Sequence, residues 1–125
     1  SCTDVTGFGL LGHGYEMAQG SDVTIHFMTG EIPYHKEALE MADLGMIPEG
    51  AYRNRQYASA GVSKAKEIKR AMEDILYDPQ TSGGLMIAVS ENDAKNLLED
   101  LQNTIPCAKI IGYIEEKEEK SIILE

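Results

Sequence analysis

The sequence predicts an α+β fold in which helices pack on one face of a mixed β-sheet. Two observations lead to this prediction. Several segments repeat apolar residues at spacings of three and four, as one-sided helices do, and other short segments alternate β-branched with polar residues, as strands do. In chain order these segments give helix, strand, helix, a short edge strand, helix, strand, helix, strand and strand. A chain of 125 residues can hold the core of one such domain.

The first helix and strand lie in the first 27 residues. Residues 6–18 place apolar side chains at positions 8, 11, 15 and 18, on one helical face. Thr6 is the predicted N-cap, and residues 20–22 end the helix. Because four glycines lie in or just before this segment, we expect its backbone to approach another part of the chain closely. The alternation in residues 23–27 then predicts a strand.

The middle of the chain predicts two more helices, separated by a loop. Residues 35–44 follow a proline and carry a helical pattern that ends before a glycine. Residues 47–60 contain proline, glycine, asparagine and serine and are predicted to be mostly loop. A short edge strand is possible in residues 61–66, and residues 68–76 have a clear helical stripe.

The last third predicts strand, helix, strand and strand. Residues 85–89 are predicted to form a buried strand, and Ser90 with Asp93 resembles a capping box at the start of the next helix. Residues 107–114 and 121–124 are predicted strands joined by a charged turn. We expect these two strands to pair as a hairpin.

The charge balance excludes some partners. Eleven basic and 21 acidic side chains give a formal net charge of −10, which disfavours binding to nucleic acid and to anionic membranes. Cys2 and Cys107 are too few for a disulfide framework and are predicted to be small buried residues, so a cytoplasmic location is expected. No segment has the features of a signal peptide or the length of a membrane span.

A first candidate site is the run Thr3-Asp4-Val5-Thr6-Gly7-Phe8-Gly9. Backbone N–H groups at a helix start attract phosphate oxygens, glycine allows close approach, and the Asp4 carboxylate is a suitable Mg²⁺ ligand. The residues alone leave a second interpretation open, a tight turn with no ligand. The run Asp78-Pro79-Gln80-Thr81-Ser82-Gly83-Gly84 has the composition of a structured turn.

Both runs resemble signatures of the selenophosphate synthetase (selenide, water dikinase) family. The first extends through Leu10-Leu11-Gly12-His13, and the second continues to Leu85. This family belongs to a superfamily of ATP-binding enzymes that includes aminoimidazole ribonucleotide synthetase. The resemblance implies that residues 1–125 form the single C-terminal domain of a longer two-domain enzyme. The N-terminal ATP-binding and catalytic domain would then lie outside this sequence, consistent with a chain that opens on Ser1.

The resemblance also implies a reaction and roles for particular residues. The family makes selenophosphate, AMP and orthophosphate from ATP, selenide and water with Mg²⁺, and it is expected to be a homodimer. Asp4 matches a family Mg²⁺ ligand, and Thr3, Thr6 and Gly7 are candidate contacts to the nucleotide. The family's reactive cysteine or selenocysteine and its essential lysine lie in the other domain. No catalytic residue is therefore assigned in this chain, which is expected to be inactive alone.

Several residues and functions stay open at this point. His13 is expected to be a hydrogen-bonded structural histidine, and Gln80 and Thr81 are candidates to line the same cleft. Arg53 and Arg55 could steer phosphates or simply form a solvated face. The alternative functions are those of another superfamily enzyme, such as an ATP-dependent synthetase or a maturation factor, and of a non-catalytic interaction domain.

Overall fold

A computed structural model describes residues 1–125 and contains five helices and six strands. The helices are α1 (Gly9–Ser21), α2 (Lys36–Asp43), α3 (Glu49–Ala58), α4 (Arg70–Leu76) and α5 (Glu91–Gln102). The strands are β1 (Cys2–Asp4), β2 (Val23–Phe27), β3 (Val62–Lys64), β4 (Leu85–Ile87), β5 (Gly112–Glu116) and β6 (Ile122–Leu124). The α+β class is confirmed, and so is the short edge strand β3. None of the helices has the length and apolar character needed to cross a membrane.

The main sheet has four strands in the order β3-β6-β2-β5. β6 is parallel to both of its neighbours, whereas β5 is antiparallel to β2. The predicted hairpin of the last two strands is therefore wrong, because β2 lies between them. Ile122 and Leu124 are completely buried in this arrangement. A central position buries both residues against neighbours on each side, which a two-stranded hairpin could not do.

The two faces of β2 have different surroundings. Ile25 and Phe27 point into the hydrophobic core, which also holds Leu11 of α1 and the buried residues of β6. Since side chains alternate along a strand, Thr24 and His26 lie on the opposite face. Both are nevertheless buried. The sheet thus packs α1 on one face and carries a polar cluster on the other.

Helix α3 replaces most of the predicted loop at residues 47–60. Pro48 lies just before the first turn, where a missing N–H costs nothing. Ala51, Asn54 and Ala58 are buried on the inner face at spacings of three and four. The prediction counted proline, glycine and asparagine as helix breakers. It overlooked this spacing of small residues, which allows close packing against α1.

Two predicted strands are shorter and more exposed than expected. β4 ends at Ile87 and buries only Met86, since it pairs with β1 alone and gains no third strand. β5 begins at Gly112, so residues 107–111 lie outside it. The expectation that Cys2 and Cys107 are buried is also wrong: both thiols are free and exposed, one in the two-stranded ladder and the other in a turn.

Candidate functional site

Backbone pairing joins the two sequence motifs. Strand β1, which the sequence analysis missed, lies antiparallel to β4, with Asp4 opposite Leu85. The Val5 N–H donates to the carbonyl of Gly84 at 2.8 Å, and the Gln80 N–H donates to the carbonyl of Thr6 at 3.0 Å. Two segments more than 70 residues apart in the sequence therefore form one local structure.

Two glycines permit this close contact. Gly9 has a φ of +71°, and a Cβ there would lie 2.8 Å from the carbonyl carbon of Tyr77. A Cβ on Gly83 would overlap the carbonyl oxygen of Val5. Backbone thus packs directly on backbone at both positions, which only glycine allows. The predicted close approach at the start of α1 is confirmed.

Asn54 ties α3 to the first motif and to Tyr77, the residue just before the second motif. Its side-chain nitrogen Nδ2 donates to the carbonyl of Gly7 and to the carbonyl of Tyr77, both at 2.9 Å. The residue is 6% exposed, so these bonds form away from water. One amide group uses both of its protons to hold the two loops at a fixed separation.

A shallow depression of about 760 Å³ opens where these elements meet. Its lining comes from the first motif, from α3 and from the second motif, as follows: Thr6, Gly7, Phe8, His13, Gly50, Arg53, Asn54, Tyr57 and Pro79. The rings of Phe8 and Tyr57 stack with centroids 5.8 Å apart, although each residue is about half exposed. Exposed aromatic rings beside polar backbone groups offer both stacking and hydrogen-bonding contacts to a ligand.

Thr6 does not cap α1 as predicted. The helix begins at Gly9 after Phe8, and no side chain caps its first turn. Thr6 Oγ1 instead lies 3.1 Å from His13 Nε2, and the imidazole is largely buried. The expected hydrogen bond of His13 is confirmed by this contact, and its purely structural role stays a prediction, because the residue also lines the depression. Thr6 lies two residues before the N-cap position, which Phe8 occupies, so it is too early in the chain to cap the helix.

The predicted nucleotide contacts and the predicted metal ligand Asp4 fall into two groups. Thr6 and Gly7 line the depression, whereas Thr3 and Asp4 do not. The Thr3 hydroxyl donates to the backbone carbonyl of Asp4 at 3.2 Å, and the Asp4 side chain is exposed at the end of β1.

The chemistry of Asp4 suits a hard cation. Its carboxylate takes part in none of the chain's ion pairs, so its oxygens are free for a metal. It also belongs to no cluster of three or more potential ligands within the chain. Mg²⁺ is commonly bound by one or two protein carboxylates together with phosphates and water. One exposed carboxylate fits that role as a contributor to a shared site.

The two candidate arginines have different surroundings. Arg55 forms ion pairs with Glu73 and with Asp74, the latter at 2.6 Å, and its guanidinium lies over the ring of Tyr77. Arg53 lines the depression, and its exposed side chain forms an ion pair with Glu49 at 2.8 Å. Arg55 therefore holds α3 on α4, whereas the exposed ion pair of Arg53 is weak enough for a ligand to replace.

The second motif contributes mainly through its backbone. Pro79 lines the depression, whereas Gln80 and Thr81 do not. Burial raises the pKa of the Asp78 carboxyl above its ordinary value. A carboxyl held in a partly dry position next to a cleft is typical of functional sites, although structural carboxyls behave similarly.

Three contributors to the depression were not singled out as site residues. Asn54, Tyr57 and Gly50 lie on α3, which the sequence analysis assigned mostly to a loop. The spacing of small residues along α3 is the signal that could have placed them on one helix.

These features define a domain whose two glycine-containing loops and third helix form one open depression. The chain belongs to the family described as AIR synthase related protein, C-terminal domain, which matches residues 1–125. Within that family it is similar to selenide, water dikinases, as the sequence motifs predicted. It is 46% identical over 125 residues to the selenide, water dikinase of Clostridium botulinum strain Eklund 17B, covering 100% of this chain and 36% of that protein.

Two further relatives carry the same name. The selenide, water dikinase of Clostridioides difficile strain 630 is 50% identical over 123 residues, which are 98% of this chain and 35% of that protein. The selenide, water dikinase of Pelobacter propionicus is 44% identical over 126 residues, which cover 100% of this chain and 36% of that protein. The chain thus spans about a third of the length of the curated relatives that it matches.

Proposed function

We propose that residues 1–125 act as the C-terminal domain of an ATP-dependent selenide, water dikinase. The complete enzyme would convert selenide, ATP and water into selenophosphate, AMP and orthophosphate. The observation that carries the proposal is the convergence of both long motifs on one depression through direct backbone contacts. Names carried by relatives at 44–50% identity support the same activity.

The proposal gives this domain a supporting part in the reaction. Thr6 and Gly7 would contact the nucleotide from the rim of the depression, and Thr3 would position the Asp4 segment. Asp4 would supply one carboxylate to Mg²⁺, which when bound neutralises phosphate charge during phosphoryl transfer. Arg53 would add a cation beside the same phosphates by exchanging its exposed ion pair with Glu49 for the ligand. The remaining ligands, the nucleophile and the essential lysine would come from an N-terminal domain.

Location and assembly follow from the same proposal. Two exposed free thiols suit a reducing compartment, so we place the enzyme in the cytoplasm. A homodimer formed mainly through the N-terminal domain would complete it. Residues 1–125 alone would then make no selenophosphate.

The decisive experiment replaces Asp4 by Asn in the full-length protein that contains this chain. Turnover of ATP with selenide should fall at least about 100-fold, since one charged metal ligand is lost. Asp43→Asn is the matched control, because Asp43 is exposed at the end of α2, far from the motifs in sequence, and carries the same charge. Unchanged turnover in Asp4→Asn would refute the metal role and favour an interaction domain. Activity with another substrate but none with selenide would favour a different superfamily enzyme.

A further inference from the structure

A second polar cluster lies on the sheet face opposite the core. His26 of β2 is buried there, with its side chain 8% exposed. Its ring stacks on Tyr113 of β5, with centroids 4.6 Å apart and planes 12° from parallel. Three carboxylates surround the imidazole: Glu115, Glu118 and Glu125. None of these residues belongs to the two motifs or to the depression.

One side of the imidazole is fixed by a hydrogen bond. Nδ1 lies 2.9 Å from Glu125 Oε1, and the hydroxyl of Tyr113 donates to the same oxygen at 2.8 Å. Both contacts converge on one oxygen of the Glu125 carboxylate, which acts as the acceptor. A carboxylate acceptor at Nδ1 favours a proton on that nitrogen. With the proton on Nδ1, Nε2 is the nitrogen that the ring can offer to a metal ion.

Two carboxylates lie close to Nε2. Nε2 lies 3.2 Å from an oxygen of Glu118 and 3.6 Å from an oxygen of Glu115. A single proton on Nε2 could bond well to only one of them. A metal ion could bind all three atoms at once. Two ligands bound tetrahedrally at about 2.1 Å lie about 3.4 Å apart, which matches both separations.

The supporting structure holds the carboxylates in place. The backbone N–H of Glu118 donates to Thr24 Oγ1 at 2.9 Å, and that hydroxyl donates to the carbonyl of Lys120 at 2.7 Å. Thr24 is completely buried, so it anchors the turn after β5. The Lys117 ammonium donates to Ser121 Oγ at 2.8 Å and is thereby committed to another partner.

We propose that His26, Glu115 and Glu118 bind one divalent cation of the zinc type, with Glu125 orienting the imidazole. The three ligand atoms lie within 4.8 Å of one another. One nitrogen and two carboxylate oxygens suit Zn²⁺ or a similar first-row ion, whereas Mg²⁺ prefers oxygen ligands alone. The carboxylate–histidine–metal arrangement is the usual way in which proteins orient a metal-binding imidazole. This site is independent of the proposed function.

The test uses cobalt as a spectroscopic probe and zinc as a competitor. The chain carries Cys2→Ser and Cys107→Ser, so that exposed thiols cannot bind metal. Titration with Co²⁺ should give visible absorption bands that saturate at one ion per chain, and Zn²⁺ but not excess Mg²⁺ should abolish them. Nitrogen NMR of His26 should show Nε2 as the bound atom.

Matched variants distinguish a specific metal site from nonspecific attraction of cations to acidic side chains. The double variant Glu115→Gln with Glu118→Gln removes two exposed carboxylates and should weaken Co²⁺ binding at least about 100-fold. The control is Glu116→Gln with Glu119→Gln, which removes the same charge from exposed neighbours outside the cluster. Glu125→Gln should weaken binding about 10-fold or more. Equal weakening in the two double variants, or no absorption bands at all, would overturn the proposal.

Discussion

Replacing Asn54 by Ala should destabilise the domain by disconnecting α3 from the first motif and from Tyr77. Two hydrogen bonds of 2.9 Å are lost, each with a net value of about 1 kcal/mol. The Tyr77 carbonyl belongs to a residue that is 1% exposed, so leaving it without that donor adds about 1 kcal/mol. The free energy of unfolding should fall by about 3 kcal/mol, which lowers Tm by about 12 °C in a domain of this size.

Urea unfolding followed by circular dichroism measures this loss, because the midpoint should fall at an unchanged slope. Asn54→Asp tests the donors separately, since it keeps the shape of the side chain but places one carboxylate oxygen against both carbonyls. We expect it to cost at least as much as Asn54→Ala at neutral pH. Gln56→Ala and Gln56→Glu are the matched controls on the exposed face of α3. Typical surface substitutions change the free energy of unfolding by less than about 0.5 kcal/mol. If the unfolding free energies of the Asn54 variants differed from those of the controls by no more than this, the bridging role would be refuted.

Three further predictions concern the same region. Gly83→Ala should cost about 1–3 kcal/mol in unfolding free energy, because its Cβ meets the Val5 carbonyl, whereas Gly84→Ala has open space. Equal midpoints for these two variants would contradict the close backbone contact. Asp78→Asn should stabilise the domain at neutral pH. The raised pKa of Asp78 means that the folded state binds a proton more readily, so the wild type loses stability as pH rises from the ordinary carboxyl pKa through the raised one. The difference in Tm between Asp78→Asn and the wild type should vanish at pH values below both the ordinary and the raised pKa. A difference that stays constant with pH would refute this cause. In the full-length enzyme, Arg53→Ala should raise the KM for ATP about 10-fold with little change in kcat. The control Lys95→Ala, an exposed change on α5, should leave the KM for ATP unaltered. An unchanged KM in Arg53→Ala would assign that arginine to a solvated face.

The two motifs at the candidate site were recognised from the sequence, whereas helix α3, which connects them, was not. Both motifs were identified as signatures, and the structure brings them together. The helix carrying Asn54 and Tyr57 was missed, since proline, glycine and asparagine weigh against a helix in local propensity. Tertiary packing reversed that preference, because small residues let α3 approach α1 and buried partners satisfy the Asn54 amide. The assignment of Asp4 to Mg²⁺ stays a prediction.

The sequence by itself determined the fold class, most of the helices, the strand Val23–Phe27 and the family to which the chain belongs. These properties depend on local periodicity and on specific runs of residues. Only the tertiary structure decided that β2 separates the last two strands, that both cysteines are exposed and that His26 meets three carboxylates. The physical reason is that periodicity records which face of a segment is buried, while strand order and side-chain clusters depend on contacts between residues far apart in the chain.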